Sequence, residues 1–335
     1  MAKIIFYEIE DWEKDYIKER LQGFDVVFYN EHLSKDNLKT AKDADVLGVF
    51  IYSEIGLDIM KAVSNLKLIA TMSTGYDHID IKEAKSRNIK VCNVPSYGEN
   101  TVAEHTFALI LALSRKIIES AERAKRGDFS LENIRGFDLR GKTIGVVGTG
   151  RIGKHVVRIA KGFEMEVIAY DAYPDNNFAQ QMGFRYVGLD ELLSNSDIIT
   201  LHAPYNEQTH HMININNINK IKKGAILINT ARGGLVETNA LLEALKQKII
   251  AGAGLDVLEE ECFIREEKQL LSNVFTAKCD LKTVLQEHML MEQDNVIITP
   301  HNAFNTKEAL QRILDVTIEN IKKFFEGNAQ NVVNQ

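Results

Sequence analysis

Residues 143–153 read TIGVVGTGRIG. An apolar, β-branched run passes into Gly148, Gly150 and Gly153 and then into a helical pattern. In this spacing each glycine has its own task. Gly148 permits a tight turn, Gly150 leaves room for the backbone to approach a pyrophosphate, and Gly153 lets helix and strand pack closely. A phosphate then sits on free N–H groups at the helix N-terminus, near Arg151 and Ile152. A glycine pattern alone is a weak signal, but here a second strand follows and ends VIAYD. Asp171 lies 18 residues beyond Gly153, close to the spacing of roughly 20 at which an acid meets the ribose hydroxyls. Its carboxylate would accept from those hydroxyls and repel a 2′-phosphate. Ala172 and Tyr173 offer no cation for such a phosphate, so the reading is NAD rather than NADP. The alternative, a glycine turn and an unrelated surface aspartate, leaves the coincidence unexplained.

Working outward, residues 166–170, 198–201, 225–229, 252–256 and 296–299 read as further strands with helices between them. With 143–147 they make six strands, a complete doubly wound dinucleotide fold. Upstream, 3–7, 46–51, 67–71 and 90–93 read as buried strands, and 11–21 and 79–87 as helices. Such alternation specifies a parallel sheet covered on both faces. The run 101–118, TVAEHTFALILALSRKII, reads as one buried connecting helix, its start marked by a capping box of Thr101 and Glu104. A last helix over Lys307–Phe325 is expected to return to the first domain. The fold class is therefore α/β. Two Rossmann-like domains with parallel sheets are expected, a dinucleotide-binding domain (101–299) being inserted into a flavodoxin-like substrate domain (1–100 plus 300–335).

The 335 residues suit two domains, and 45% hydrophobic residues allow each a core. A net charge of −7 argues against a general affinity for nucleic acid or anionic membrane. Cys92, Cys262 and Cys279 stand far apart without a CxxC pair, so neither a disulfide framework nor a metal site is expected. The N-terminus is charged by its eighth residue, and no stretch approaches the roughly 20 apolar residues of a membrane span. A cytoplasmic location is expected.

Three polar residues stand at or just past the C-terminal ends of strands, where open α/β sheets bind ligands. Arg232 follows AILINTA, Glu261 follows AGLDVLEE, and His301 follows NVIITP. Singly, they read as a surface arginine, a solvated glutamate and a turn histidine. Beside a nicotinamide site they supply what reduction of a 2-oxo acid requires. A guanidinium grips the carboxylate and polarises the ketone. A histidine gives the proton that the alkoxide needs. A carboxylate on the other ring nitrogen fixes the tautomer and stabilises the imidazolium. Glu260 is the nearest competitor to Glu261.

The chain resembles the D-isomer-specific 2-hydroxyacid dehydrogenases across nearly its whole length. The resemblance is carried by STGYDHID (73–80), NVPSYGENTVAEH (93–105), the glycine motif with Asp171, HAP (202–204), NTARGG (229–234), GLDVLEEE (254–261) and TPHNAF (299–304). It implies that Arg232 binds substrate, Glu261 supports the acid and His301 is the acid/base. It implies that the N–H groups of Thr74 and Gly75 hold the substrate carboxylate. Ala203, Pro204, Thr209, Thr230, Ala231 and Asp256 match cofactor contacts, Asp256 facing the nicotinamide carboxamide, while His202 matches less clearly. Within the family the chain is most similar to the D-lactate dehydrogenase branch, through Tyr97 and Phe304, with Tyr52 a softer match. Aromatic walls of this kind suit the methyl group of pyruvate. A branch acting on larger acids, such as phenyllactate and 2-hydroxyisocaproate, shares much of the pattern. A non-catalytic NAD-sensing regulator is the reading from another class, opposed by the complete Arg–Glu–His set. Formate dehydrogenases pair their histidine with glutamine, which Glu261 argues against. The resemblance also implies a homodimer formed through the region of the 101–118 helix. The segment 266–293 reads as a loop and an amphipathic helix, an extension that D-lactate dehydrogenases share.

Overall fold

The computed structural model describes residues 1–259 and 280–334. The chain divides into two compact units, Met1–Tyr97 with Thr306–Gln335, and Gly98–Asn305.

In the first unit, strands β1 (Lys3–Phe6), β2 (Asp25–Phe28), β3 (Val46–Val49), β4 (Leu68–Thr71) and β5 (Lys90–Cys92) form one sheet in the order β2-β1-β3-β4-β5. All pairings are parallel, and the order is that of flavodoxin-like folds. The central strands VLGV and LIAT are buried at every residue, because helices cover both faces of a parallel sheet. Helix Lys307–Phe325, contributed by the far end of the chain, buries Ile313, Leu314, Thr317, Ile318 and Ile321. Its Asn320 donates to the Asn93 carbonyl at the exit of β5. Strand β2 escapes the sequence reading. It is a short edge strand paired only with β1, and its four residues, one exposed and three half-buried, carry too little periodicity to be told from a loop.

The second unit holds β6 (Thr143–Val147), β7 (Glu166–Tyr170), β8 (Arg185–Tyr186), β9 (Ile198–Leu201), β10 (Ala225–Asn229), β11 (Ile250–Leu255) and β12 (Val296–Ile298). Their order is β12-β11-β10-β9-β6-β7-β8, again wholly parallel. This is the doubly wound arrangement, its direction reversing between β6 and β9. The sheet has seven strands rather than the expected six, the addition being the two-residue edge strand β8. One register row runs across its C-terminal ends, pairing Tyr170 with Val147, Val147 with Leu201, Leu201 with Asn229, Asn229 with Leu255 and Leu255 with Ile298.

The connecting helix corrects two expectations. It begins at Glu99 after Gly98, two residues before Thr101, and Thr101 is buried inside its first turn instead of capping it. Glu104 takes a hydrogen bond from Asn100. The apolar run is also two helices. Glu99–Ser114 is buried along one side, and Ile117–Lys125, which buries none of its residues, follows a break at Lys116, whose φ is 53°. Apolar content predicted helix on both sides of the break but could not report a left-handed residue between them. Among the described residues no helix is long and apolar enough to cross a membrane.

A Cβ added at Gly153 would stand 2.0 Å from the Gly148 carbonyl oxygen, whereas one added at Gly162, at the other end of the same helix, meets nothing within 4 Å. Gly153→Ala should therefore lower the unfolding free energy by about 2–3 kcal/mol. Gly162→Ala should be neutral or slightly stabilising. Urea denaturation of both variants against the parent measures the difference.

Candidate active site

Several candidate residues of the second unit lie one to three residues beyond the register row. Gly148 follows β6 with φ 91°, and its N–H donates to the Tyr170 carbonyl. A Cβ there would lie 2.7 Å from the Ala203 nitrogen and from the His202 carbonyl carbon. Only glycine lets the exits of β6 and β9 close on each other at the switch point. Gly150, which leads into helix Arg151–Gly162, has nothing within 4 Å of its Cβ position. Its N–H and that of Ile152 find no acceptor among the described residues. These features make an open, N–H-lined cradle that fits a pyrophosphate. Asp171, at the exit of β7, is tied to the same loop. Its Oδ2 accepts from the Thr149 N–H (2.6 Å) and hydroxyl (2.9 Å), and its Oδ1 from the Tyr173 N–H. The carboxylate is thus fixed beside the glycines with lone pairs left for ribose hydroxyls.

Arg232 stands three residues past β10. Buried Asn229 clamps the turn, accepting from the Ala231 N–H and donating to the Arg232 carbonyl. The guanidinium is exposed and donates to the Ala231 carbonyl at 2.7 Å. Gly233 follows, where a Cβ would overlap the backbone of Leu258 and Glu259. The arginine turn is thereby pressed against the exit of β11.

His301 stands three residues past β12 in a left-handed conformation, φ 51°, a strain usually held only where the surroundings over-determine it. The surroundings are Asp256, which is 1% exposed. Its carbonyl accepts the His301 N–H, its Oδ1 accepts from the Thr299 hydroxyl and the Asn302 N–H, and its Oδ2 from the Ala303 N–H. His105, from the connecting helix, reaches Thr299 at 3.1 Å and Asp256 at 3.5 Å. The next residue, Thr106, meets Thr230 at 2.9 Å. Asp256 therefore acts first as the clamp of the histidine turn, a role that its match to a cofactor contact did not suggest. His105 and Thr106 also went unread. The signal available was two polar residues directly ahead of the helix's apolar run FALILAL.

Glu261 and its competitor Glu260 lie outside the described residues, as do Cys262 and Cys279. Glu259 does not, and it is committed elsewhere. Its Oε2 accepts from the Thr238 N–H and hydroxyl at the start of helix Thr238–Lys246, and its Oε1 pairs with His211 Nε2 at 2.5 Å. His211 also donates its N–H to the Gly234 carbonyl. One histidine thus joins the arginine turn to the chain leading toward Glu261. Of the extension after β11, Leu281–Met291 is helical, as expected.

Other predicted cofactor residues line the exits of β9 and β10. Thr209 closes its loop by donating to the Pro204 carbonyl, and Thr230 is buried. His202 lies between Leu201 and Ala203. Its Nε2 meets Thr200, and its Nδ1 is buried without a hydrogen-bond partner among the described residues. Burial lowers its pKa to about 3. In the first unit, Thr74 and Gly75 follow β4. The Thr74 hydroxyl and carbonyl are pinned by Val94 and Asn93, while the N–H groups of both residues have no acceptor among the described residues. A chain from His78 through Thr71 and Ser73 to the Gly75 carbonyl shapes the same loop. Tyr97 is half-buried in the first unit and Phe304 half-buried in the second. Tyr52, after β3, is 45% exposed. No group of three or more metal-ligating side chains is found among the described residues.

A glycine cradle at the switch point, an acid beside it, and an arginine and a histidine along one row of strand ends fit a nicotinamide-dinucleotide dehydrogenase. A family model described as D-isomer specific 2-hydroxyacid dehydrogenase, NAD binding domain, matches residues 107–303. D-lactate dehydrogenase of Escherichia coli is 33% identical over 97% of both chains. The structure of the pyruvate reductase of Chlamydomonas reinhardtii superposes with a TM-score of 0.89 at 37% identity, covering 98% of this chain and 97% of that one. D-lactate dehydrogenase from Aquifex aeolicus, complexed with NAD and lactic acid, gives 0.84 at 36% identity over 99% of both. The chain belongs to the D-isomer-specific 2-hydroxyacid dehydrogenase family, and its cofactor is NAD.

His202 carries a pH prediction. The unfolded chain protonates this histidine as pH falls through about 6.5, while the folded protein resists until about 3. The unfolded state binds more protons in that window, so stability is lost as pH falls. Between pH 7 and pH 5 the residue should account for about 1–2 kcal/mol of lost stability. His202→Asn should flatten the pH dependence of the urea midpoint by that amount.

Proposed function

We propose that the protein is a D-lactate dehydrogenase, interconverting pyruvate plus NADH and D-lactate plus NAD. The reading is supported chiefly by likeness over 99% of the chain to a D-lactate dehydrogenase solved with NAD and lactic acid. Tyr97 and Phe304 support the small substrate.

Bound NADH supplies a hydride to the ketone carbon. The N–H groups of Gly150 and Ile152, with Arg151, would hold the pyrophosphate, and Asp171 would accept from the ribose hydroxyls. Ala203, Pro204, Thr209, Thr230 and Ala231 would help to hold the cofactor, and the resemblance adds Asp256 to them. By the resemblance, Arg232 donates to the substrate carboxylate and to the ketone oxygen, and the N–H groups of Thr74 and Gly75 are carboxylate donors. His301 delivers a proton to the forming alkoxide oxygen. Its left-handed backbone, clamped by Asp256, sets where the ring begins. The resemblance gives Glu261 the task of supporting that acid in its proton-bearing form. In the oxidative direction His301 takes the hydroxyl proton.

Steady-state NADH oxidation with pyruvate, phenylpyruvate, 2-oxoisocaproate and glyoxylate tests the assignment. The highest kcat/KM is expected with pyruvate, and preference for phenylpyruvate or 2-oxoisocaproate would move the protein to the larger-acid branch. Absence of turnover with all four would favour the NAD-sensing alternative. His301→Ala should lower kcat by about a thousandfold while NADH affinity, read by fluorescence, stays within about twofold.

A homodimer is part of the same proposal. Ile117, Ile118, Phe129 and Leu131 are exposed together around the second connecting helix, Phe129 and Leu131 above 80%. Such apolar exposure supports a contact surface here. Light scattering should give twice the chain mass for the parent and the chain mass for Phe129→Asp with Leu131→Asp.

A further inference from the structure

The two sheets treat their switch points in opposite ways. In the second unit the crevice between β6 and β9 opens onto the unfilled cradle at Gly150. In the first, the order reverses between β1 and β3, and the crevice is already filled by a side chain. Glu8, two residues past β1, adopts φ 61°. Its Oε2 accepts from the Phe50 N–H at 2.9 Å and the Ser53 hydroxyl at 2.6 Å, and its Oε1 from the Tyr52 N–H at 2.7 Å. Ser53 is fully buried and accepts in turn from the Leu33 N–H. Three donors converging at a strand exit form the kind of nest that binds anions.

We infer that Glu8 is a positioning residue for substrate recognition: its carboxylate occupies the anion-ready crevice of the first unit and fixes the loop 50–53 that carries Tyr52. The inference rests on the proposal that the exit of β4, with Thr74 and Gly75, grips the substrate carboxylate. Strands β3 and β4 are paired neighbours, with Val49 opposite Thr71, so loop 50–53 leaves the sheet beside the substrate loop. Tyr52 and Phe50 stand edge to face at 6.4 Å. The backbone N–H groups beneath these rings, those of Phe50 and Tyr52, both donate to Glu8. Burial raises the Glu8 pKa, while the bonds from Ser53, Tyr52 and Phe50 lower it. No group of the substrate needs to touch Glu8; it acts through Tyr52.

Glu8→Ala removes the Cγ and the carboxyl group, the heavy atoms of one acetate ion. With saturating NADH, and with pyruvate or whichever 2-oxo acid the parent turns over best, KM should rise about tenfold while kcat stays within about twofold. NADH affinity should not change. Acetate should lower the KM of the variant and not of the parent, with chloride at equal ionic strength as the control. A parental KM in Glu8→Ala, a kcat that falls with the affinity, or no response to acetate overturns the inference. If the alanine variant does not fold, Glu8→Gln decides. It keeps the size but turns one acceptor into a donor, so a KM raised severalfold at constant kcat supports the role and a parental KM refutes it. Gly75→Ala separates this inference from the reading beneath it. An unchanged KM there sinks the substrate-loop proposal, whereas a raised KM there beside a parental KM in Glu8→Ala sinks the Glu8 role alone.

Discussion

The row of paired residues from Tyr170 through Val147, Leu201, Asn229 and Leu255 to Ile298 is the constraint on which the second unit depends. Parallel pairing holds neighbouring strands at about 4.8 Å, and a shared register makes all six end on one line. Asp171, Gly148, His202, Thr230 and Asp256 each come one residue after that line, and Arg232 and His301 each come three. Arg232 and His301 are separated by two strand spacings, about 10 Å along the sheet. A one-residue slip of any strand would move its site residue along the line and turn its buried face outward. Burial of the strands thereby enforces the geometry of the chemistry.

Beyond the line, backbone is held by backbone and by buried acids. Gly148 and Gly233 let neighbouring exits come closer than any side chain would allow. Asn229, Asp256 and Glu259 then take up N–H and hydroxyl groups that irregular loops leave unpaired. The left-handed His301 is tolerable because Asp256 satisfies the turn on both sides of it. Glu8 does the same for the first unit. The backbone of the arginine and histidine turns is thus held by other polar groups, Asn229 and Asp256.

Much of this was legible. The glycine motif with Asp171 predicted a strand, a turn and a helix, all present, and runs such as AILIN and LIAT gave central strands nearly residue for residue. Edge strands β2 and β8 were not legible, since pairing on one side leaves little apolar pattern. The start of the connecting helix was misread at Thr101 because a capping signature is only a local preference, and here burial of that threonine prevails. Asp256 showed its identity in the sequence but not its work, which depends on Thr299, Asn302 and Ala303 more than forty residues away.

The sequence by itself determined the reaction class and the cofactor. Those reside in residue types at fixed local spacing: glycines where only glycine fits, an acid after the second strand, an arginine and a histidine after apolar runs. The tertiary structure decided which polar residues hold and which are left to act. Glu259 is bound to Thr238 and His211, Asp256 is folded around the histidine turn, and Glu8 is sealed into the switch point of the first sheet. A buried carboxylate must collect donors, and donors from distant segments are brought together by strand register, which no local spacing records.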